Sequence, residues 1–511
     1  MERSWRADKP LPSALSPLAR TTPVYFLVVV ALAAVVAWGV FVYVSQQLST
    51  GLGVTGMNTP SYWGLYITNF VFFIGLSAGG IIVAALVHAA GIERFKPVAR
   101  IAELLAISCL IMATLFITLD LGRPDRFINL IRYGRILSPL VWDVIIVSVY
   151  LIISMSLGYF SSRADLVRCL QTFPRRRGLY LLLTLGYTDV SPQALERDRR
   201  ILRALAIVAI PAAVLLHSIT AWILGLTKAQ AGWHTALLAP LFVTSAIVSG
   251  MALVILVTLL SQRFFRLNIE EHVTVGLGKV LALIIPVLAY LLFTEMLTVS
   301  YAAESANFAV IKEVTLGRYA PLYWGLVVGG LGIPLFLLAV PQVLARARAS
   351  VGSRPVPRAL AGAGVAAVLA VLVFSASRGT TLGLNVGGDT TEFPIRFGVG
   401  AGLVLLLLIV AALAYPRPEA TVEVGLAAAL VVAGVFAERN IIVLPSLMQP
   451  LIREPHVSYM PTWVEWSLMA GVYALGVLAF VLVAKAIPLV EVEEEEPTQA
   501  PGDERLGRGL R

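Results

Sequence analysis

The sequence predicts an all-α, polytopic membrane protein with about ten to twelve transmembrane helices. Three observations carry this expectation. Of the 511 residues, 58% are hydrophobic and only 14% charged, with a mean hydropathy of +0.85; a soluble domain is about half apolar and about a quarter charged. The apolar residues gather in runs long enough to cross a hydrocarbon core, which takes about 20 helical residues. The charges fall between those runs. In a soluble protein the net charge of +9 would suggest nucleic acid. Between apolar runs it reads as a topology signal and an attraction to anionic lipid.

Taken in order, the apolar runs are residues 22–47, 62–90, 98–120, 138–162, 201–226, 234–262, 277–303, 320–345, 358–377, 396–415, 421–444 and 462–487. The stretch before the first run is long and polar, without a small-residue cleavage site, so that run reads as a retained span. Runs 358–377 and 396–415 are rich in Ala, Gly and Val, and a loose segment from Gly379 to Thr390 separates them. The tail after Pro488 carries EVEEEE and reads as disordered. Twelve spans put both termini on one side. Assigning each Lys and Arg to its nearer side gives that side 28 of the 39 and the opposite side 11. The positive-inside rule then places both termini in the cytoplasm.

The connection Asp120–Arg135, DLGRPDRFINLIRYGR, holds four arginines and falls on the outer side, where basic loops are disfavoured. Either it pairs with Asp120, Asp125 and lipid phosphate, or it docks a soluble partner or stabilises a ligand anion. Ionisable groups at membrane depth are costly and face a bundle interior, a cavity or a proton path. Here they are Glu103 near the cytoplasmic end of the third run, Asp120, Asp143, His217, His234, Glu295, the pair Glu438–Arg439 and Glu465. Most lie toward the outer face, whereas a transporter places its substrate site near the midplane.

Each of these has a plain reading beside the functional one. Glu438 and Arg439 form an internal ion pair. Glu465 opens a helix, where the dipole favours a carboxylate. Trp63, Trp142, Trp233 and Trp463 belong to the interfacial aromatic belt. His217 and His234 flank one short outer turn and, with Asp143, could hold a quinone carbonyl and exchange its proton. They could also ligate a b-type haem, although paired haems are hard to build from five histidines of which His88 and His272 lie on the cytoplasmic side. The two cysteines, Cys109 and Cys169, form no CxxC or CxxCH pattern, so the chain has no cysteine set for an iron–sulfur cluster or a c-type haem. No GxxxxGK[ST] loop is present.

Several stretches together resemble the membrane subunits of the polysulfide reductase (NrfD/PsrC) family. They are YWGLYITNFVFFIGLSAGG (62–80), ARIAELLAISCLIMATLFITLDLGRPDR (99–126), AGWHTALLAPLFVTSAIVSG (231–250), ERNIIVLPSL (438–447) and PTWVEW (461–466). Quinol-oxidising subunits of alternative complex III are also similar, but carry His where this chain reads GLSAGG, with Ala78 the nearest match. They also carry an Asp after the span-five His, where TAWILG stands here.

The resemblance implies two four-helix bundles plus peripheral helices, and menaquinone or ubiquinone bound on the outer side. It implies no metal held by this chain. An iron–sulfur subunit would dock on the outer face and relay electrons to or from molybdopterin or multihaem cytochrome subunits, with other membrane subunits and lipid as neighbours. On that basis the segments are a cytoplasmic stretch 1–21, a peripheral helix and outer loop 22–61, a first bundle with the quinone site 62–226, second-bundle helices 227–345, inserted helices 346–420, closing helices 421–487 and a tail 488–511.

Asn69, Arg123, Asp143, Trp142, His217, Trp233 and His234 are expected around the quinone, with Asp143, His217, His234 and Asp120 handling protons. Glu103, Glu295 and Glu465 are candidates for a proton route across the membrane. Arg126, Arg132 and Arg135 are expected to seat the iron–sulfur subunit. The expected location is a bacterial cytoplasmic (inner) membrane. The alternative is a secondary transporter or ion-conducting protein, for which no internal repeat is visible.

Overall fold

The computed structural model describes residues 15–339 except 20, 60 and 303, together with 382–386, 389–393, 420–449 and 459–491. Among these, ten helices are long and apolar enough to cross a membrane. They are α1 (Pro23–Thr50), α2 (Leu65–His88), α3 (Glu93–Asp120), α4 (Pro139–Thr172), α5 (Pro192–Gly225), α6 (Leu238–Phe265), α7 (Glu271–Ala302), α8 (Ala320–Ala339), α9 (Thr421–Leu447) and α10 (Trp463–Val483). The all-α class therefore holds. Runs 358–377 and 396–415, the tail beyond residue 491 and most of 1–21 lie outside the described residues. Between those two runs, Leu382–Val386 and Asp389–Phe393 pair as an antiparallel hairpin, with Leu382 opposite Phe393.

Local sequence starts these helices where they start. Thr22 caps α1, its Oγ1 accepting from the Tyr25 N–H, with Pro23 at the first helical position. Pro139 and Pro192 open α4 and α5 in the same way, since proline lacks only an N–H that the first turn leaves unpaired anyway. Thr462 and Glu465 form a capping box on α10. Once begun, the apolar runs stay helical because only internal pairing satisfies backbone groups in lipid.

The helices α2, α3, α4 and α5 pack as one four-helix bundle, and α6, α7, α8 and α9 as a second. The bundles meet mainly through α2 against α6. Helices α1 and α10 pair and lean on α3. Glycine makes the tightest crossings. A Cβ on Gly79 of α2 would overlap the backbone of Gly250 of α6. One on Gly39 (α1) would come within 2.9 Å of Gly471 Cα (α10), and one on Gly330 (α8) within 2.6 Å of Gly434 Cα (α9). Small residues let helices approach closely where lipid offers no hydrophobic drive to association.

Alternating helix direction sorts the connections onto two loop faces. One carries the loops after α1, α3, α5, α7 and α9, here called the Asp120 face. It is tied together by bonds such as Gly56 N–H to Glu465 Oε2 (2.7 Å) and Gly232 N–H to Asn307 Oδ1 (2.9 Å). The other face is bound by buried ion pairs. Arg100 reaches Asp165 at 2.7 Å and also donates to the Ser161 and Pro488 carbonyls. Arg163 pairs with Asp198, and a hydrogen bond joins Glu103 to His88 at 3.0 Å.

Candidate functional site

On the Asp120 face, α1, α2, α3 and α10 bring a set of polar side chains together. Helix α1 ends in a π-turn, Tyr43–Gln47, a local rewinding often found at functional sites. It turns Gln47 inward, where the residue is buried. Gln47 Nε2 donates to the Leu119 carbonyl at 2.7 Å, and its Oε1 accepts from the Tyr66 hydroxyl at 2.7 Å. The adjoining Asp120 lies within electrostatic reach of Tyr66 and Glu465. Its Oδ1 is buried and makes no hydrogen bond to the protein.

Glu465 is fully buried and takes bonds from Gly56 N–H, Thr462 N–H (2.9 Å) and the Tyr459 hydroxyl (2.5 Å). Burial, and then the neighbouring Glu465 charge, push the Tyr459 hydroxyl far above its usual range, so it stays a neutral donor. Its oxygen accepts from the Leu65 N–H at 2.8 Å. One turn on, Asn69 donates to the Leu65 carbonyl (2.8 Å) and accepts from the Tyr473 hydroxyl (2.7 Å). Every member of this set but one is satisfied inside the protein; the exception is the free oxygen of Asp120.

A second set of polar groups extends from inside the first bundle to the second. Asp143, buried on α4, accepts from Thr220 on α5 at 2.7 Å. His217 lies one turn before Thr220, and its Nδ1 contacts the Ala213 carbonyl at 2.6 Å. A carbonyl only accepts, so Nδ1 carries the proton. Nε2 is buried and makes no hydrogen bond to the protein. Nearby, Arg439 stacks over Phe242 at 4.4 Å and donates to Ser245 at 3.1 Å, and Ser245 in turn donates to Glu438. The expected Glu438–Arg439 ion pair is present at a loose 3.9 Å.

The remaining expected residues are dispersed. His234 is exposed, bonding the Gly225 carbonyl at 2.8 Å, and does not converge with His217. Trp233 is fully buried, stacked on Trp63 at 5.7 Å and donating to the Ile442 carbonyl at 2.7 Å, so it fastens α9 to the start of α2. Trp142 donates to the Ile136 carbonyl. Arg123 is exposed and bonded to Asp125 through both Nε and Nη2 at 3.0 Å, which holds the Asp125 carboxyl below the usual carboxylate range. Glu103, Glu295 and Glu465 stand in three separate settings. Glu103 belongs to the ion-paired opposite face. Glu295 accepts from Thr235 at 3.0 Å and shares a cavity of about 90 Å³ with Glu438. Glu465 belongs with Asp120.

Sequence reasoning missed Gln47, Tyr66, Tyr459 and Tyr473. A glutamine at the end of an apolar run was the available signal for the first. Tyr66 sat inside a quoted motif, one turn before Asn69.

Helices in two bundles, with an uncapped carboxylate oxygen and tyrosine–amide bonds buried at one loop face, define a polytopic membrane protein with a polar network at that face. The family model described as polysulphide reductase, NrfD matches residues 53–353. The chain belongs to that family. It is 35% identical over 343 residues to a putative dimethyl sulfoxide reductase membrane subunit of Halobacterium salinarum, covering 66% of this chain and 74% of that one. Over 320 residues it is 30% identical to the Hdr-like menaquinol oxidoreductase integral membrane subunit of Archaeoglobus fulgidus, covering 62% and 72%. Over 312 residues it is 28% identical to a selenate reductase subunit of Mesobacillus selenatarsenatis, covering 58% and 71%.

Proposed function

We propose that this chain is the membrane subunit of a multisubunit oxidoreductase and that it binds a quinone at the Asp120 face, exchanging protons with it while an iron–sulfur partner subunit exchanges the electrons. The observation that carries the site is the Asp120 Oδ1 atom, buried without a hydrogen-bond donor. A buried acceptor is expected to be paired, and a hydroquinone hydroxyl is a donor of the right kind. The relatives named for dimethyl sulfoxide, menaquinol and selenate reactions support the class of complex, and the menaquinol name favours menaquinone over ubiquinone. The excess of Lys and Arg on the opposite side supports an outward orientation for this face.

A bound quinone supplies a two-electron, two-proton couple. The chain's own residues divide the remaining work. Asp120 accepts a hydroxyl proton. The Gln47–Tyr66 bond fixes the wall beside it. Glu465 and Tyr459 lead from there to the Gly56 backbone and the loop face. Photolabelling of the whole complex with an azidoquinone tests the placement. Crosslinks are expected in peptides containing Gln47, Tyr66 or Asp120, and unlabelled menaquinone should compete them away. Labelling confined to peptides around His217 and Arg439 would move the site between the bundles.

The adjoining loop supports docking of a soluble partner. Ile128, Ile131, Tyr133, Ile136 and Leu137 are all 60% or more exposed. They are interleaved with the exposed Arg126, Arg132 and Arg135. Apolar surface of this kind marks an interaction site, and arginine with aromatic residues is enriched at interfaces. An iron–sulfur subunit seated here would bring its electron carrier to the Asp120 face. The double variant Arg132→Glu, Arg135→Glu is expected to lose that subunit on affinity purification while the membrane chain keeps its melting midpoint. Full retention of the subunit would remove this docking assignment.

A further inference from the structure

A cleft of about 460 Å³ lies on the opposite half of the molecule, between the α1–α10 pair and helices α2, α3 and α6. Its walls are almost wholly apolar, with Phe73, Met112, Leu253 and Val257 among them. At its inner end stands Tyr473, whose hydroxyl is already bonded to Asn69. At its outer end stand two cations, Arg266 and Lys485.

Arg266 ends α6 in a left-handed conformation, φ 54°, and is exposed. The Lys485 ammonium bonds the Pro17 carbonyl at 2.5 Å and lies 5.0 Å from the Tyr25 ring centre. Burial, and then the nearby Arg176 cation, push Lys485 below its usual range. Along α6 the cleft runs from Phe265 to Leu253, about 18 Å at 1.5 Å per residue. That is a little over half of a hydrocarbon core of about 30 Å. The shape is therefore apolar for the depth of one leaflet and cationic at the membrane surface. Basic pockets between spans at this level are suited to anionic headgroups.

We propose that this cleft binds one anionic phospholipid of the adjoining leaflet, with its acyl chains along Phe73, Met112, Leu253 and Val257 and its phosphate between Arg266 and Lys485. The lipid closes the gap between the α1–α10 pair and the bundles on the face away from Asp120. Lipid binding here does not depend on the quinone reading.

The test uses the full chain, reconstituted in vesicles of equal parts phosphatidylglycerol and phosphatidylcholine with added menaquinone, then re-extracted in mild detergent for native mass spectrometry. One phosphatidylglycerol per chain should remain bound. Removing the two cations in Arg266→Gln, Lys485→Gln should erase its preference over phosphatidylcholine, by about fivefold for each cation. Val257→Trp, which keeps both cations and fills the trench, should lower retention of either lipid. Equal retention of the two lipids by the unaltered chain would overturn the proposal, as would menaquinone as the retained molecule. The competition on the unaltered chain decides the matter even if a variant fails to fold.

Discussion

Asparagine at Asp120 is expected to lower quinol turnover of the purified complex by about 100-fold, the lower end of what a positioned proton acceptor contributes. The substitution keeps the shape and one acceptor oxygen but cannot take a proton. The Gln47, Tyr66 and Glu465 bonds do not use the Asp120 side chain, so the melting midpoint should stay close to that of the unaltered protein. The loss should fall on kcat rather than KM, because the asparagine oxygen still accepts the ground-state hydroxyl bond while proton transfer is lost. Asp143→Asn provides the comparison. Its carboxylate already has a donor in Thr220, and a smaller loss is expected. Turnover for Asp120→Asn within twofold of the unaltered complex would refute the assignment, whatever Asp143→Asn does.

The largest structural effect is expected at Gly79. A methyl there would overlap the Gly250 carbonyl group, which is backbone and cannot rotate away. Overpacking a well-packed core costs about 1–3 kcal/mol even when side chains can yield. Here α2 and α6 must separate along the main contact between the bundles. Gly79→Ala should therefore lower the melting midpoint in detergent by several degrees, and Gly79→Leu should leave no monodisperse protein. Gly178 meets no atom within 4 Å of an added Cβ, so Gly178→Ala is the matched control and should melt as the unaltered chain does. Unchanged melting for Gly79→Ala would show that the two helices are not in backbone contact.

The helices were legible because the membrane enforces them. A run of apolar residues in lipid has one way to satisfy its backbone, so composition alone gave nearly every described span. The bundle arrangement came from family motifs rather than periodicity. The site was less legible. Asp120, Asn69 and Glu465 were singled out, but nothing in the sequence linked Glu465 to Asp120, because the two are far apart along the chain. His217 and His234 are close in the sequence, yet the turn between them aims one inward and leaves the other at the surface. Gln47 is invisible to hydropathy. Its inward direction depends on a π-turn that no residue pattern announces. Tyr459 acts through a hydrogen bond across the fold to Leu65, which no local rule anticipates.

The Gly79–Gly250 crossing also bears on motion. Carriers that work by alternating access rock one half of the molecule against the other around a central site. Such rocking needs a layer of side chains that can slide or exchange partners. Between α2 and α6 no such layer exists at this point: one peptide backbone rests directly on another. The two bundles are joined like a mortised beam, and a substrate carried through by their opening would have to break that joint at every cycle. What the geometry leaves free to come and go is at the edges, at the Asp120 face and in the cleft on the opposite half.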